Sequence, residues 1–196
     1  MMVRAIFMSV LPVLVVGVAF VQSACVPLLV TGAVVGTAAV VTDRRTTGAQ
    51  LDDEMIEDKN SLAIHERFRG GEFHINVTSY NGIVLLTGEV PTDSAKTDVE
   101  QMLRSTPKVR AVQDELVVGP ATSLESRSND TLITSKVKAR FIEAAKFQIN
   151  VVKVVTERGV VYLMGVVRHD EGAAAAEIAR TTSGARRVVK VFEYID

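Results

Sequence analysis

An internal repeat is the feature that most constrains the fold of this chain. The segment NGIVLLTGEV at residues 81–90 returns 77 residues later as RGVVYLMGVV at residues 158–167. Each copy opens with a turn residue and a glycine, continues through apolar-rich positions, and reaches a second glycine shortly before a valine. Flanking segments also align, with a shift one residue shorter near the carboxyl end. The chain is therefore predicted to contain two copies of one module.

The first element of each module is predicted to be an amphipathic helix. Residues that favour a helix N-terminus occur at matching places, Asp52-Asp53 in the first copy and Asn129-Asp130 in the second. In the second copy, four apolar residues recur at helical spacing and predict one apolar face. These residues are Ile133, Val137, Phe141 and Ala144.

A hairpin of two strands is predicted after each first helix. Its turns are expected at Asn81-Gly82 and Arg158-Gly159, and Asn-Gly is the stronger signal because both residues accept positive φ. The second strand is expected to end at Gly88 or Gly165. The missing side chain there permits a bulge or a close approach by the following helix.

A second helix and a final strand complete each module. The helix is expected over residues 93–104 and 170–182, and the strand over residues 109–118 and 188–195. The predicted fold class is α+β. Two tandem modules of order α-β-β-α-β each pack two helices on one face of a three-stranded sheet.

The amino-terminal segment has the pattern of a secretory signal. Arg4 precedes residues 5–21, which contain no charge, and small residues lead up to the only cysteine, Cys25. This arrangement resembles the lipobox of bacterial lipoproteins, with Gln22 where leucine is usual. The resemblance implies that Cys25 is acylated and becomes the first mature residue. Val26, in place of an aspartate, implies an outer-membrane destination.

An uncleaved membrane anchor is the alternative for this segment, and a cytosolic chain is less favoured. Residues 26–42 are also uncharged, so two apolar stretches follow one another. A spanning helix needs about 20 apolar residues. Pro27 and the Gly32-x-x-x-Gly36 spacing make the second stretch a poor isolated span, although that spacing also occurs where helices pack in lipid.

The charge is distributed unevenly between the two modules. Residues 50–118 carry 13 acidic residues against 7 Lys and Arg, whereas residues 119–196 carry 9 against 12. The first half is therefore net acidic and the second net basic, although the whole chain has a net charge of only −1. Such asymmetry indicates different partners for the two halves. The basic half has the sign that suits an anionic surface.

The repeat resembles the BON domain. The residues that carry the resemblance are the Gly-Val-Val-x-Leu-x-Gly-x-Val pattern of residues 159–167, its counterpart at residues 82–90, and the segment SNDTLITSKVKARF at residues 128–141. Together with the lipobox, the two modules resemble the DolP/YraP-like family of dual BON-domain outer-membrane lipoproteins. The resemblance implies an outer-membrane protein facing the periplasm that supports envelope integrity at division sites or near the outer-membrane-protein assembly machinery.

Five segments follow from these patterns. They are a signal peptide at residues 1–24, an acylated tail at 25–49, modules at 50–118 and 129–196, and a linker at 119–128. The linker is assigned from its Gly, Pro and Ser content, which is typical of a loop.

The first helix of the second module is the candidate phospholipid-binding element. Leu132, Lys136, Arg140 and Glu143 fall along one side of it and Lys138 lies nearby, so an apolar residue precedes three cations. Such a helix can rest on an anionic bilayer, where each cation contributes about 1 kcal/mol. From the pattern alone, the face is more simply a solvated one. The family resemblance favours binding of a phosphatidylglycerol-like anionic phospholipid through Leu132, Ile133, Lys136, Val137 and Arg140.

No catalysis, cofactor, metal site or small-molecule substrate is expected. The sequence lacks HExxH, GxGxxG and Walker patterns. The three histidines, His65, His74 and His169, are interpreted as solvated surface residues. Nucleic acid is a poor partner because the basic set is small and lacks interleaved aromatic residues.

Two further hypotheses remain open. The acidic start of the first module, residues 52–58, would carry binding in a protein-interaction adaptor, although acids in a first turn also simply favour the helix dipole. In the other hypothesis, the acidic and basic modules attract each other and pack together within the chain, which would make their charges structural.

Overall fold

The computed structural model describes residues 43–69 and 73–196. In this part of the chain, four helices and two three-stranded sheets form an α+β fold, which confirms the predicted fold class. The predicted signal peptide, the acylation site Cys25 and the apolar stretch at 26–42 lie outside the described residues. None of the helices in the described part is long and apolar enough to cross a bilayer.

Both modules have the predicted order of elements. The first contains α1 (Thr47–Arg67), β1 (His74–Tyr80), β2 (Ile83–Val90), α2 (Asp93–Arg104) and β3 (Ala111–Val118). The second contains α3 (Leu124–Ala144), β4 (Val152–Glu157), β5 (Val160–Val167), α4 (His169–Arg180) and β6 (Arg187–Tyr194). A short 3-10 turn, Ile149–Val151, precedes β4. In each sheet the middle strand pairs antiparallel with the first strand and parallel with the last.

The first helices begin earlier than predicted. Thr46 and Ser123 are their N-caps, and each hydroxyl accepts a hydrogen bond from the backbone N–H three residues later, at 3.1 and 3.2 Å. The predicted caps at Asp52-Asp53 and Asn129-Asp130 were therefore wrong, because the hydroxyl caps lie nearly two turns upstream. As a result α1 begins before the predicted module start at residue 50, and α3 begins inside the predicted linker.

The buried aspartates Asp53 and Asp130 hold the hairpin turns instead. The Asp53 carboxylate accepts hydrogen bonds from the backbone N–H groups of Asn81-Gly82 at 2.7 and 2.8 Å. Asp130 does the same for Arg158-Gly159, at 2.8 Å in both cases. All four turn residues have positive φ, between 51° and 75°, which confirms both predicted turns. Each first helix is thus tied to its hairpin by one side chain.

Asp53 has more partners than Asp130. Ser79 Oγ donates to it at 2.6 Å and the Arg45 guanidinium at 2.8 Å, in addition to the two turn N–H groups. Burial by itself raises the pKa of Asp53, but the bonds from Ser79, Gly82 and Arg45 outweigh it and hold that pKa below its ordinary value. Asp53 is therefore ionised in the folded protein at neutral pH.

Gly88 and Gly165 lie within the second strands, which continue two residues past them to Val90 and Val167. A Cβ on Gly88 would collide with the carbonyl oxygen of His74 in the adjacent strand, and Gly88 has φ +113°. The backbone of the neighbouring strand, rather than the following helix, is therefore what approaches closely.

The two sheets pack against each other on the side opposite the helices. In the middle strand β2, Val84 and Leu86 point to the helices, while Leu85 points to the other sheet. The interface between the sheets, which we call the seam, has an apolar centre. Its buried members are Tyr80, Leu85, Tyr162, Met164 and Val166.

Ion pairs border the seam and join opposite charges of the two modules. Glu57 meets Lys153 at 2.7 Å, and Glu115 meets Arg187 at 3.3 Å. In a third pair, the first module supplies the cation, Arg110, and the second module supplies the carboxylate, Glu193, at 2.8 Å. The structure therefore shows the docking that the charge asymmetry suggested, and an apolar centre accompanies the charges.

The start of the described chain is attached to both modules. The Arg44 guanidinium donates to both carboxylate oxygens of Glu171, at 2.6 and 2.8 Å. Arg45 donates to Asp53 and lies over the Tyr80 ring, 4.0 Å from its centroid. These adjacent arginines link residue 43 to α4 on one side and to α1 on the other.

Candidate functional site

Three large apolar side chains are exposed on α3. Leu124 is 77%, Leu132 59% and Ile142 66% exposed. Lys136 and Lys138 are exposed on the same helix, and neither forms an ion pair with any residue in 43–69 or 73–196. We call these five residues the α3 outer face. It combines apolar surface with positive charge on one helix.

Two residues of the predicted binding set do not reach the surface. Ile133 and Val137 are at most 1% exposed and belong to the core that α3 forms with β4 and β5. Their spacing reflects the inward face of the helix, so they position Leu132 and Lys136 rather than contacting a ligand. In the folded module neither side chain can touch a lipid surface.

Arg140 is occupied by an internal contact. Its Nη1 donates to the carbonyl oxygen of Ile178 and to the Thr182 hydroxyl, both at 2.8 Å. The side chain is half-buried and links α3 to the end of α4. Arg140 is therefore a packing residue. Of the predicted set, Leu132 and Lys136 remain on the surface, and their binding of phospholipid stays a prediction.

Sequence reasoning missed Leu124 and Ile142. Leu124 was assigned to the linker because the helix start was placed at residue 129. Extending the helical period upstream to the hydroxyl cap at Ser123 would have included Leu124. Ile142 would have followed from projecting the whole helix, because it lies on the same side as Leu124.

The first helix also has an apolar outward side, which two acidic residues and one lysine, Lys59, accompany. Leu51, Met55 and Leu62 are each more than half exposed, and Glu54 and Asp58 lie beside them. We call these five residues the α1 outer face. A cavity of about 490 Å³ adjoins Met55, between α1 and the loop that follows α2. This surface suits a partner with apolar and basic groups.

A polar cluster lies at one end of the seam. His74 Nδ1 is 3.4 Å from Glu89 Oε2 and 3.7 Å from Glu157 Oε1. Glu89 is fully buried and Glu157 is 6% exposed. The interpretation of His74 as a solvated surface residue is therefore wrong, because β1 lies against the second module. His65 and His169 are exposed, as expected.

Burial shifts the ionisation of this cluster. Burial raises the pKa of Glu157 to about 7, and the nearby charge of Glu89 adds to the effect. Burial also lowers the pKa of His74, as does the neighbouring Arg127. The imidazole is thus neutral at pH 7, and the two carboxylates lack a strong cationic partner.

Comparison with known proteins gives consistent results. The sequence pattern of the BON domain matches residues 52–120 and 129–196. The chain is 38% identical over 173 residues to the outer membrane lipoprotein DolP of Haemophilus influenzae, covering 88% of this chain and 89% of that protein. It is 33% identical over 154 residues to a 21 kDa hemolysin of Actinobacillus pleuropneumoniae, covering 78% and 79%. The osmotically-inducible protein Y of Escherichia coli is 28% identical over 144 residues, 72% of each chain.

Proposed function

Because the chain belongs to the BON-domain family and is related to DolP over most of its length, we propose that it is an outer-membrane lipoprotein without enzymatic activity. Acylated at Cys25, it faces the periplasm. It docks on anionic phospholipid, of the phosphatidylglycerol type, with the α3 outer face and thereby supports envelope integrity.

The observation that carries this proposal is the exposure of Leu124, Leu132 and Ile142 on one helix with Lys136 and Lys138, which form no ion pair within the described part of the chain. Each apolar side chain that enters the interface contributes roughly 1 kcal/mol, since full burial from water contributes about 1.5–3 kcal/mol. Each lysine near an anionic surface adds about 1 kcal/mol. The favourable free energy of these contacts therefore sums to roughly 5 kcal/mol. For a protein without a lipid anchor, the unfavourable entropy of association cancels most of it.

Acylation of Cys25 removes most of that entropic loss. Seventeen residues, 26–42, lie between Cys25 and the first described residue, Asp43, and a chain of that length spans at most about 60 Å. Once the acyl chains are inserted, the α3 outer face is held close to the same leaflet, and binding becomes effectively intramolecular. A weak helix–lipid contact is then sufficient to orient the protein on the membrane.

Vesicle flotation tests the lipid contact. The chain from residue 25 with Cys25→Ser, which cannot be acylated, is mixed with millimolar lipid of either phosphatidylglycerol or phosphatidylcholine. We expect flotation with phosphatidylglycerol only, decreasing with salt because exposed charges are screened within about 10 Å at 0.1 M. Lys136→Glu with Lys138→Glu should abolish it. Lys59→Glu with Lys190→Glu, the same charge change elsewhere, should not.

A result in which both double variants float like the wild type would contradict the assignment to α3. Arg140 is left unchanged in this design because its substitution would disturb the contact with Ile178 and Thr182.

A second candidate function is protein binding through the α1 outer face. The acidic rim around Leu51, Met55 and Leu62 disfavours an anionic membrane, and the adjoining cavity offers space for an apolar side chain. The candidate partner is a component of the outer-membrane-protein assembly machinery. Photo-crosslinking in cells compares a photoreactive residue at Met55 with one at Leu132. Crosslinks to one protein from Met55, and to lipid from Leu132, would support both functions.

A further inference from the structure

The cluster of His74, Glu89 and Glu157 draws its members from three strands and both modules. His74 begins β1, Glu89 lies near the end of β2, and Glu157 ends β4. One ligating atom from each side chain lies within 4.8 Å of the other two. The three residues are far apart in sequence, so the docking of the modules is what brings them together.

Each member presents a buried polar atom without a hydrogen-bond partner among the described residues. These atoms are His74 Nδ1, Glu89 Oε1 and Glu157 Oε1. The nearest cation to Glu89, the Arg158 guanidinium, stays 3.9 Å away. Burying two carboxylates with only this more distant cation beside them is costly, and buried charges are normally paired or bound to a metal ion. The free atoms therefore indicate a missing partner that is positively charged.

The other carboxylate oxygens are held in place. Thr122 donates from its backbone N–H to Glu89 Oε2 at 3.0 Å, and Asn76 donates to Glu157 Oε2 at 3.0 Å. Hydrogen bonds of this kind orient ligating carboxylates in metal sites and leave the second oxygen available. The cluster thus has oriented ligands as well as free ligating atoms.

The repeat shows that the BON fold does not need these polar residues. Shifting each position by the 77-residue repeat gives Val151 for His74, Val166 for Glu89 and Tyr80 for Glu157. All three counterparts are buried apolar or aromatic residues. At each of these three repeat positions, one module therefore has a residue that can bind a metal ion and the other module has a buried core residue. The three residues that can bind a metal ion lie together at one point.

We propose that His74, Glu89 and Glu157 bind a zinc ion that joins the two modules at the seam. One imidazole nitrogen and two carboxylate oxygens suit zinc, whereas calcium and magnesium prefer oxygen ligands alone. Zinc–ligand bonds of about 2.0–2.2 Å place the ligands of a tetrahedral ion roughly 3.5 Å apart. His74 Nδ1 lies 3.7 Å from the free Glu157 Oε1 and 3.4 Å from Glu89 Oε2, and either oxygen of the Glu89 carboxylate is a suitable ligand. An adjoining cavity of about 370 Å³ leaves room for water as the fourth ligand.

Zinc titration of the full chain in non-ionic detergent tests this proposal and does not depend on membrane binding. After removal of metals with EDTA and dialysis, calorimetry should show one zinc ion per chain with a Kd of about 1 μM or lower. Saturation at about 100 times Kd should raise the melting temperature by at least about 4 °C. Calcium and magnesium at the same concentration should leave it unchanged.

Glu89→Gln and Glu157→Gln keep the side-chain shape and remove the charge repulsion, so both variants should fold. Each should weaken zinc binding at least tenfold, as should His74→Gln. The matched controls His65→Gln and His169→Gln, which replace exposed histidines, should bind zinc like the wild type. Zinc binding that survives Glu157→Gln, or the absence of any binding to the wild type, would overturn the proposal.

Discussion

The first helices of the two modules share their first two buried residues and differ in the charges of their outward sides. Both bury an aspartate that holds the hairpin turn, and both bury an isoleucine one turn later, Ile56 in α1 and Ile133 in α3. Both also expose three large apolar side chains. The difference is in charge: Glu54 and Asp58 accompany the α1 outer face, whereas Lys136 and Lys138 accompany the α3 outer face.

This comparison shows which positions the fold constrains. The inward residues set the attachment of helix to sheet, and they persist in both copies because a change there affects packing and buried hydrogen bonds. The outward residues carry no such constraint, and most of them differ between the copies: among the exposed apolar residues, only Met55 and Leu132 occupy equivalent positions of the repeat. One fold thus presents two surfaces that select partners of opposite charge.

The largest expected effect concerns the shared aspartates. Asp53→Ala should lower the free energy of unfolding by roughly 4 kcal/mol and Asp130→Ala by roughly 2 kcal/mol. Each hydrogen bond to a charged group contributes about 1.5–3 kcal/mol, Asp53 accepts four and Asp130 two, and the cost of burying the carboxylate offsets about half of the sum. Thermal and urea unfolding of the full chain in detergent measures both. Asp52→Ala, which removes only a surface carboxylate, should change stability by less than about 0.5 kcal/mol. Equal effects of the three substitutions would mean that the buried carboxylates do not hold the turns.

The next effect concerns Glu157 at the polar end of the seam. The residue at the equivalent repeat position in the first module is the aromatic Tyr80. The pKa of Glu157 is about 7 in the folded protein and about 4.3 in the unfolded protein. Between these pH values, Glu157 is therefore protonated in the folded state and ionised in the unfolded state. Metal-free protein should therefore lose roughly 2 kcal/mol of stability as the pH rises from 4.5 to 7.

Glu157→Gln should remove that pH dependence and make the metal-free protein more stable than the wild type at pH 8. Unfolding by urea at a series of pH values in EDTA measures it. A Glu157→Gln protein with the same pH profile as the wild type would show that another group is responsible.

The smallest effect tests whether charge alone determines which of the two outer faces binds an anionic membrane. Glu54→Lys with Asp58→Lys gives α1 the charge sign of α3 beside the existing Leu51, Met55 and Leu62. Affinity for phosphatidylglycerol vesicles in flotation should then increase at least about tenfold, because each of the two new lysines contributes roughly 1 kcal/mol. Asp93→Lys with Glu100→Lys on α2 makes the same charge change without an apolar surface. Equal gains in both variants would indicate that attraction is non-specific.

The sequence predicted the repeated fold well because its signals are local. The Asn81-Gly82 turn requires positive φ, the α2 bounds follow from apolar spacing, and both were confirmed. Asp53 misled the prediction because an aspartate at a helix start and an aspartate that holds a distant turn look the same in sequence. The hydroxyl cap at Thr46 was the better local signal.

The candidate site was less predictable because its residues depend on contacts distant in sequence. Arg140 looked like a surface cation until α4 supplied acceptors 38 and 42 residues away. His74 looked solvated because its neighbours Glu89 and Glu157 lie on other strands, one of them in the other module. Helical periodicity separates the inward Ile133 from the outward Leu132, but it cannot show which cations are already engaged.

The adjacent arginines Arg44 and Arg45 determine how the folded body responds to mechanical load. Force transmitted along the chain to Asp43 passes through Arg45 into Asp53 and through Arg44 into Glu171 at the same time. Because α1 belongs to the first module and α4 to the second, the load is shared by both modules. Neither module is pulled away from the other first. Movement of the amino-terminal segment is therefore transmitted to both modules together.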